Sequence, residues 1–332
     1  MPPTVYVVSE QIKYRPFFNT DPPLIANLWR SQPVFRGLHS SLTVADLELH
    51  IFSKPYFERE GFFVAQRVDA TGKNELVGFV HAAFDVCPDL SNLNRSVGII
   101  SQLRVRSCEE QLQVEDKLLS MAHEYLRANG SKEIWCVSRF PQAPFYVGLY
   151  GGSRVPGAME EDVAVVEALK RNGFEEVNRI AVLQRELGQV QSVSGRQQLM
   201  VRRNYLINAI ADPLEKSWWE CCTLGMAERD RFTIGRKKDN HVSGTVSYWD
   251  LQPLGSFIHS NCRGLYDLKV NEEDKRNGLA SFLVCESIKR LAGQGVTLVE
   301  AQTEFTNEAS IRLFEKLEFS LVTTGLQLRK SL

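Results

Sequence analysis

The stretch Leu265–Leu283 constrains the fold of this chain more than any other part of the sequence. A short β-prone run ends at Val270, a polar segment follows, and Gly278 then precedes an amphipathic helix. The apolar stripe of this helix consists of Ala280, Val284, Ile288 and Leu291. Backbone N–H groups at such a helix start can hold an anion, and Lys275 and Arg276 add positive charge beside the helix dipole. By itself the pattern fits both a phosphate-binding loop and a plain turn between a strand and a helix.

Two short motifs follow each other in this part of the chain. The residues after the helix predict a strand, a second helix and a last strand, over Gly295–Glu304, Asn307–Leu317 and Ser320–Leu328. The first motif is Lys275-Arg276-Asn277-Gly278-Leu279-Ala280. The second is Asn307 followed by Phe314-Glu315-Lys316-Leu317-Glu318-Phe319.

Together, in this order, the motifs resemble those of the GNAT superfamily of acyl-CoA N-acyltransferases. The family patterns are [Gln/Arg]-x-x-Gly-x-[Gly/Ala] and then Asn with Tyr-x-Lys-x-Gly-Phe. The chain departs from them at Lys275 in place of Gln or Arg, at Phe314 in place of Tyr and at Glu318 in place of Gly. The resemblance implies an α/β fold with a mixed, splayed β-sheet flanked by helices, and acetyl-CoA as co-substrate.

Length and composition limit the alternatives. A chain of 332 residues predicts two domains, and 43% hydrophobic with 24% charged residues is typical of a soluble globular protein. The net charge of −1 gives no reason to expect nucleic acid or an anionic membrane as partner. Neither a membrane span nor a signal peptide is predicted. Rossmann-type nucleotide binding is disfavoured because Gly-x-Gly-x-x-Gly is absent.

The cysteines and histidines predict no metal site. Seven cysteines without a Cys-x-x-Cys pair do not resemble a disulfide framework or a zinc site, which favours a reducing cytoplasm. The six histidines form no His-x-x-His pattern. The sequence predicts no particular oligomeric state.

The chain divides into two similar halves. The prediction is a degenerate GNAT-like domain over residues 1–187, a linker rich in Gln, Ser and Gly over 188–197, and a GNAT-like domain with the acyl-CoA site over 198–332. In the second half, Gln198–Arg203 is predicted as a strand and Leu214–Leu224 as a helix. The same spacing separates Val105 from Gly130 and Val270 from Gly295. The tandem arrangement is similar to that of mycothiol synthase, although no residue implies that enzyme's substrate.

A gap-free alignment of the two halves predicts a single CoA site. It places bulky or acidic residues opposite the basic, open loop: Glu110 opposite Lys275, Gln113 opposite Gly278 and Glu115 opposite Ala280. Like charges close together in a partly dry site would cost several kcal/mol. The first half is therefore expected to serve for packing, or to supply part of a substrate cleft.

The resemblance implies how the second half would hold acetyl-CoA. The strand Tyr266–Val270 would receive the pantetheine, with backbone groups of Leu268 and Val270 pairing with its amides and Lys269 between them. The loop from Lys275 to Ala280, which contains Arg276, Asn277, Gly278 and Leu279, would hold the pyrophosphate. Asn307 is either a ligand of the cofactor or the N-cap of the last helix.

Direct attack of an amine on the thioester also needs a proton acceptor. Asp267 lies in the strand at the site and is the carboxylate best placed by sequence; a surface or structural pairing role is the alternative. Its neighbour Tyr266 should point to the opposite face, so that at most one of the two enters the cleft. Glu300 and Glu304 on the next strand are further candidates.

The sequence lacks a residue at position 314 that could donate a proton to the leaving thiolate. In many family members a Tyr occupies the position of Phe314, and a phenyl ring cannot donate a proton. A thiol has a pKa of about 8.5, so its anion leaves without a positioned acid, at a cost of roughly 10²-fold in rate. The sequence thus predicts acetyl transfer to a primary amine of a small molecule or peptide, and leaves a catalytically silent acyl-CoA-binding or partner-docking module as the alternative.

Two aromatic segments have open roles. The aromatic and Gly-rich segment 145–153 is predicted to be an ordered loop that packs on its own half, with a substrate wall or lid as the alternative. Trp218 and Trp219 are predicted as core and interface residues rather than a ligand cage.

Overall fold

In the computed structural model, residues 12–68, 74–188, 196–252 and 260–332 are described. The strands are β1 Lys13–Pro16, β2 Phe62–Val68, β3 Asn74–Val86, β4 Leu93–Val105, β5 Glu133–Cys136, β6 Ala158–Met159, β7 Glu175–Glu186, β8 Tyr205–Ala211, β9 Arg229–Arg236, β10 Val242–Asp250, β11 Cys262–Val270, β12 Leu298–Glu304 and β13 Ser320–Ser331. The helices are α1 Pro22–Arg30, α2 Val44–Leu47, α3 Gln111–Ala128, α4 Val163–Arg171, α5 Arg196–Asn204, α6 Trp218–Leu224, α7 Leu279–Gly293 and α8 Glu308–Lys316. Most of the predicted linker 188–197 lies outside the described residues.

All thirteen described strands belong to one continuous mixed sheet. Its order is β1-β2-β3-β4-β5-β13-β7-β12-β11-β10-β9-β8, and β6 pairs with β13. Two neighbouring pairs are parallel, β4 with β5 and β11 with β12, and the other described pairs are antiparallel. Each half therefore contains an antiparallel meander that leads into one parallel pair. The predicted fold class is confirmed.

The last strands of the two halves are exchanged. β7, which closes the first half in sequence, pairs with β12 from Leu298 opposite Glu186 to Glu304 opposite Ile180. β13, which ends the chain, pairs with β5 of the first half and with β7. The sheet therefore joins the halves through backbone hydrogen bonds, and its division does not follow the predicted boundary between residues 187 and 198.

Different elements cover the two faces of the first half of the sheet. A side chain at Gly78 on β3 would meet Leu118 of α3. Side chains alternate along a strand, so His81 points to the opposite face. There its Nδ1 lies 3.2 Å from the Tyr146 hydroxyl, and the Tyr146 ring stacks on Trp29 of α1. Helices on both faces agree with the predicted α/β architecture.

The second half has its own hydrophobic core, between the sheet and α7. This core contains Phe232, Val246, Leu283, Val284 and Ile288. The Tyr248 hydroxyl on β10 lies 2.7 Å from Ser287 Oγ, which satisfies two buried polar groups at this contact. A smaller cluster contains Trp249, Leu251 and Tyr266 and lies near the boundary between the halves.

The prediction of a strand over Gln198–Arg203 is wrong. These residues belong to α5, and the strand β8 begins only at Tyr205. Gln, Leu, Met and Arg are good helix formers, and Gln198 and Val201 are both buried at helical spacing. Among the helices of the described residues, none is long and apolar enough to cross a membrane.

Candidate functional site

The parallel strands β11 and β12 diverge after a short contact. They pair only from Cys262 to Gly264 on β11 and from Leu298 to Glu300 on β12. Beyond this contact β11 stays with β10, while β12 stays with β7. Within the described part of the chain, the edge of β11 from Leu265 onward therefore has no strand beside it on the β12 side, and its backbone groups can pair with an extended ligand.

A β-bulge lies on this free part of β11. Thr245 pairs with Lys269 and Ser247 with Tyr266, so that two residues of β11 oppose one of β10. Asp267 has a left-handed φ of 55° at this point. A bulge breaks the alternation of side chains along a strand. Tyr266 and Asp267 accordingly both line the same cavity, and the prediction that at most one of them enters the cleft is wrong.

A cavity of about 410 Å³ lies between the diverging strands and the first half. β11 contributes Leu265 to Lys269, β12 contributes Gln302 and Thr303, and α8 contributes Ser310 and Phe314. Helix α6 and the residues before it form another wall, with Lys216, Trp219, Glu220 and Thr223. The first half supplies Leu90, Phe140, Pro141, Gln142 and Arg154. The cleft of the second half is thus completed by the first.

Asp267 is held by two lysines. Its carboxylate forms a short hydrogen bond with Lys216 Nζ and an ion pair of 2.7 Å with Lys269 Nζ. Partial burial raises the pKa of this carboxyl group, but the hydrogen bonds and charges of the two lysines outweigh it and hold the pKa below 3.8. Asp267 is therefore ionised at neutral pH and is a weak proton acceptor.

Tyr266 places a phenol in the cavity. Its hydroxyl donates to Glu220 Oε1 at 3.3 Å, and the Glu220 carboxylate lies 3.9 Å from the guanidinium groups of both Arg229 and Arg231. Burial, followed by the charge of Glu220, raises the pKa of Tyr266 to about 12. The phenol therefore keeps its proton at neutral pH and can donate a hydrogen bond to a ligand.

The other candidate carboxylates on β12 do not line the cavity. Glu300 is buried, and accepts hydrogen bonds from Ser153 N at 2.6 Å, Gln184 Nε2 at 2.7 Å and Gln302 Nε2 at 3.1 Å. Burial raises the pKa of Glu300, and these donors counteract the rise. Glu304 accepts from the Thr306 hydroxyl. Glu300 is placed to hold the neighbouring chain segment rather than a substrate.

The predicted pyrophosphate loop lies beyond the end of β11 and outside the lining of the cavity. Gly278 is the N-cap of α7 with φ 76°, and Arg276 also has a positive φ of 62°. The left-handed backbone explains why glycine stands directly before the helix. The first N–H groups of α7 have no partner inside the helix. The Lys275 ammonium pairs with Glu272, and Asn277 Nδ2 donates to the Asp274 carbonyl at 3.3 Å. The side chain of Leu279 is buried, so that only the backbone of Leu279 can contact a ligand.

Asn307 and Phe314 lie on α8 and its N-terminus. The Asn307 side chain accepts from Ser310 N at 3.1 Å, which makes Asn307 the N-cap of α8. Asn307 is not part of the cavity wall. Phe314 is 4% exposed, lines the cavity, and packs with Phe319 at a ring distance of 5.1 Å. No proton donor stands at position 314.

The corresponding loop in the first half differs from the gap-free alignment. The connection from β4 to α3 covers only residues 106–110, against 271–278 in the second half. Glu110 is therefore the N-cap of α3 and is equivalent to Gly278, so placing Gln113 there was wrong. Glu110 puts its own carboxylate at the helix start and pairs with Arg67 at 2.9 Å. The first half thus lacks a bare, basic loop at this position, as predicted. The residue that takes the place of the glycine is Glu110 and not Gln113.

One group of metal-ligand type lies beside the predicted pyrophosphate loop. Ligand atoms of His241, Glu273 and Asp274 lie within 4.8 Å of one another. The Arg236 guanidinium already lies 4.0 Å from the Asp274 carboxylate, and Asn271 Nδ2 lies 3.2 Å from His241 Nε2. These contacts give the group the character of a charge network.

Sequence reasoning missed Arg154, Lys216 and Glu220. Ser217-x-x-Glu220 is a capping-box pattern, and in the structure Ser217 Oγ accepts from Glu220 N at 3.1 Å, so that this signal gives the start of α6. Arg154 had no local signal, because its proximity to the cavity depends on contacts distant in sequence.

The segment 145–153 packs mainly in its own half as predicted, but its end contacts the second half. Trp219 is a core residue and stacks on Tyr56, also as predicted.

Comparisons with known proteins agree with this geometry. Residues 201–319 match the model of the Acetyltransferase (GNAT) family. No curated protein matches the sequence.

Several solved structures are similar over nearly the whole chain. One is the GCN5-related glucosamine N-acetyltransferase region of a fungal multi-domain GH3 beta-N-acetylglucosaminidase, with a TM-score of 0.68 and 14% identity over 98% of this chain. This chain covers only 38% of that protein. A GCN5-related N-acetyltransferase from Sphaerobacter thermophilus has a TM-score of 0.60 and 11% identity over 96% of this chain and 95% of its own. A tandem GNAT protein from the clavulanic acid biosynthesis pathway has a TM-score of 0.60 and 12% identity over 97% and 98%.

The second half therefore matches the GNAT family, and the chain as a whole has the fold of a tandem GNAT protein. The match over 201–319 identifies the second half, and the likeness to tandem structures covers both halves.

Proposed function

We propose that the chain transfers the acetyl group of acetyl-CoA to a primary amine of a small molecule or peptide, in the second half and by direct attack. The observation that supports this most is the divergence of β11 from β12 around a cavity. Cofactor and acceptor can meet in such a cleft, with the glycine-capped start of α7 beyond one end of the strand. In this proposal the site operates in the cytoplasm.

The free edge of β11 would receive the cofactor. Backbone groups of Leu268 and Val270 pair with the pantetheine amides in the way an added strand would. Lys269 extends into solvent beside them, with 76% of its side chain exposed. The N–H groups at the start of α7 and the charges of Lys275 and Arg276 hold the pyrophosphate.

The reaction forms a C–N bond and breaks the C–S bond of the thioester. The attacking amine has a pKa of about 10 and must lose a proton. Asp267 is the proposed acceptor. Its two lysine partners weaken it as a base, so the proton passes on to water. The departing sulfur carries the electron pair of the broken bond and leaves as CoA thiolate, which takes a proton to become the free thiol.

Tyr266 is the proposed hydrogen-bond donor to the departing sulfur, in place of the Tyr that the family pattern has at position 314. Its phenol lines the cavity and is protonated at neutral pH. In the resting chain the hydroxyl donates to Glu220, and it would exchange that hydrogen bond for one to the sulfur. This assignment gives the site a hydrogen-bond donor despite Phe314.

The second candidate function is a catalytically silent acyl-CoA-binding or partner-docking module. It is favoured by Phe314, whose buried ring offers no proton where the family pattern has a phenol. Binding of CoA does not separate the two functions, whereas turnover does.

The test is release of free thiol by the full-length chain with acetyl-CoA and a broad panel of primary amines. An amine-dependent rate supports the transferase. Tyr266→Phe should then lower kcat by about 10-fold or more with acetyl-CoA affinity little changed. Tyr205→Phe is the matched control, since Tyr205 lies at the start of β8 and outside the cavity wall. Acetyl-CoA binding without thiol release from any amine would support the silent module instead.

A further inference from the structure

Arg154 brings a cation of the first half into the cleft of the second. Its guanidinium carbon lies 5.1 Å above the ring of Tyr266, and the residue lines the cavity. Among the described residues, no hydrogen bond or ion pair engages the guanidinium. Burial lowers the pKa of Arg154, partly offset by Tyr266, Asp267 and Glu220, but an arginine stays charged at neutral pH.

The carboxylates that line the cavity are occupied by other cations. Lys216 and Lys269 hold Asp267, and Arg229 and Arg231 lie behind Glu220. Among the described residues, the charged side chains of the cavity wall are Arg154, Lys216 and Lys269 against Asp267 and Glu220. One positive charge is therefore in excess in a partly dry space, and an anion that enters the cavity would pair with it.

The backbone around Arg154 is fixed by residues of the second half. Glu300 accepts from Ser153 N at 2.6 Å, and Trp249 Nε1 donates to the Ser153 carbonyl at 3.1 Å. Gln302 Nε2 donates to the Gly151 carbonyl at 2.7 Å and to that of Arg154 at 3.1 Å. The backbone at Arg154 is thus held in place before any ligand binds, which lowers the entropy cost of recognition.

Close packing also restricts this segment. A Cβ at Gly152, which has φ 87°, would lie 2.2 Å from Glu300 Oε1. On the opposing strand, a Cβ at Gly264 would lie 2.7 Å from Ser153 Cβ. Only residues without a side chain fit at both points. The buried carboxylate of Glu300 therefore has a positioning role, and Arg154 is the charged side chain that this arrangement presents to the cavity.

We propose that Arg154 binds a carboxylate of the acceptor, so that the acceptors of this site are primary amines that also carry an acidic group. The planar guanidinium fork matches a carboxylate in two parallel hydrogen bonds. Arg154 enters from the first half and lies over Tyr266, away from the edge of Leu268 and Val270 that is assigned to the cofactor, so we assign the carboxylate to the acceptor. The inference rests on the proposed function, since it names the class of acceptor.

The first experiment measures binding to the CoA-saturated full-length chain by calorimetry. Amines are compared in matched pairs that differ in one group, such as glycine with glycinamide and β-alanine with β-alaninamide. At least one carboxylate member should bind about 10- to 100-fold tighter than its amide, the range for a hydrogen bond to a charged group. Equal binding within every pair would overturn the proposal.

Variants assign the preference to Arg154. Arg154→Gln should reduce the ratio within that pair to near one, and Arg154→Lys should restore only part of it, because the charge is retained but the bidentate fork is lost. Arg106→Gln is the matched control, since Arg106 follows β4 in the first half, pairs with Glu75 at 3.1 Å and lies outside the cavity wall. A ratio that survives in Arg154→Gln would contradict the proposal.

Two further measurements distinguish acceptor binding by Arg154 from binding of the acyl group, and distinguish failure of this inference from failure of the proposed transfer reaction. Acetyl-CoA and succinyl-CoA are titrated against wild type and Arg154→Gln; a selective loss of succinyl-CoA affinity would mean that Arg154 binds the acyl group, and the acceptor assignment would be wrong. Thiol release is measured with the preferred amine. A carboxylate preference without thiol release would contradict the proposed transfer reaction but would support an anion-binding site at Arg154.

Discussion

The two halves place a basic residue at the same position of equivalent strands and use it in opposite ways. Arg104 precedes the last residue of β4, and Lys269 precedes the last residue of β11. Arg104 is 2% exposed, pairs with Asp162 at 2.8 Å, and lies 5.2 Å from the rings of both Trp29 and Tyr150. The Lys269 side chain extends into solvent at the mouth of the cavity.

The difference comes from the segment that follows β5. In the first half the aromatic residues of 145–153 cover the face of β3 and β4, with Phe145 on His81 at 4.4 Å and Tyr150 on Arg104. The second half has no such insertion between β12 and α8. The first half therefore uses its cleft for packing, and the second half keeps its cleft open for a ligand.

The largest expected effect on ligand binding concerns the open loop of the second half. Gly278→Glu puts a carboxylate and a side chain at a left-handed position where the pyrophosphate would approach. Acetyl-CoA binding should weaken by more than about 2 kcal/mol, because like charges meet in a partly dry site. Calorimetry measures the loss, together with a wild-type stoichiometry near one.

Gly295→Glu is the control for that change. Gly295 follows α7 with φ 88°, and a Cβ there meets nothing within 4 Å. Gly295→Glu therefore introduces the same charge and a similar backbone strain as Gly278→Glu, but at a site outside the loop. A stoichiometry near two in wild type would mean that the first half also binds CoA. An unchanged affinity in folded Gly278→Glu would place the cofactor elsewhere.

The next effect concerns stability and compares the equivalent basic residues Arg104 and Lys269 directly. Arg104→Ala leaves the buried Asp162 carboxylate without its cation, and the free energy of unfolding should fall by about 3–5 kcal/mol. Lys269→Ala at the equivalent position should change it by less than about 1 kcal/mol, because an exposed pair contributes little. Urea unfolding of both variants gives the comparison, and similar losses would show that the clefts are not used differently.

A smaller change concerns the missing phenol. Phe314→Tyr adds a hydroxyl at the cavity wall with little change in volume, and thiol release should rise by about 10-fold if protonation of the thiolate limits the rate. Phe319→Tyr is the control, since its ring contacts Phe314 but does not line the cavity. Equal rates for Phe314→Tyr and an active wild type would indicate that Tyr266 or water already supplies the proton.

The smallest effect is a pH dependence at Asp267. Because its pKa is lowered in the folded chain, the pairing with Lys216 and Lys269 contributes stability above the unfolded pKa near 3.8 and loses it as pH falls through the folded value. Asp267→Asn should thus be less stable than wild type at pH 7 by no more than about 1 kcal/mol, with the difference shrinking as pH falls below 3.8. A difference that grows toward acid pH would contradict the lowered pKa.

Much of the second half was predictable because its signals are local. The strand before Val270, the glycine before α7 and the apolar stripe of α7 depend on residues close together in the chain, as does the N-cap Asn307. The same local view failed at Gln198–Arg203, where a short run with three consecutive apolar residues fits a helix as well as a strand. It also failed at Tyr266 and Asp267, because the bulge arises from pairing with β10.

The sequence by itself determined the order of strands and helices, the repeat of that order, and the contrast between Gly278 and a more acidic first loop, because these follow from periodicity, backbone freedom and charge within short windows. Only the tertiary structure decided that β7 and β13 exchange halves, that Tyr266 and Asp267 share a cavity, and that Arg154 enters it. Each of these depends on groups distant in the chain, such as Ser153 with Glu300 and Arg154 with Gln302, whose hydrogen bonds leave no trace in a local pattern.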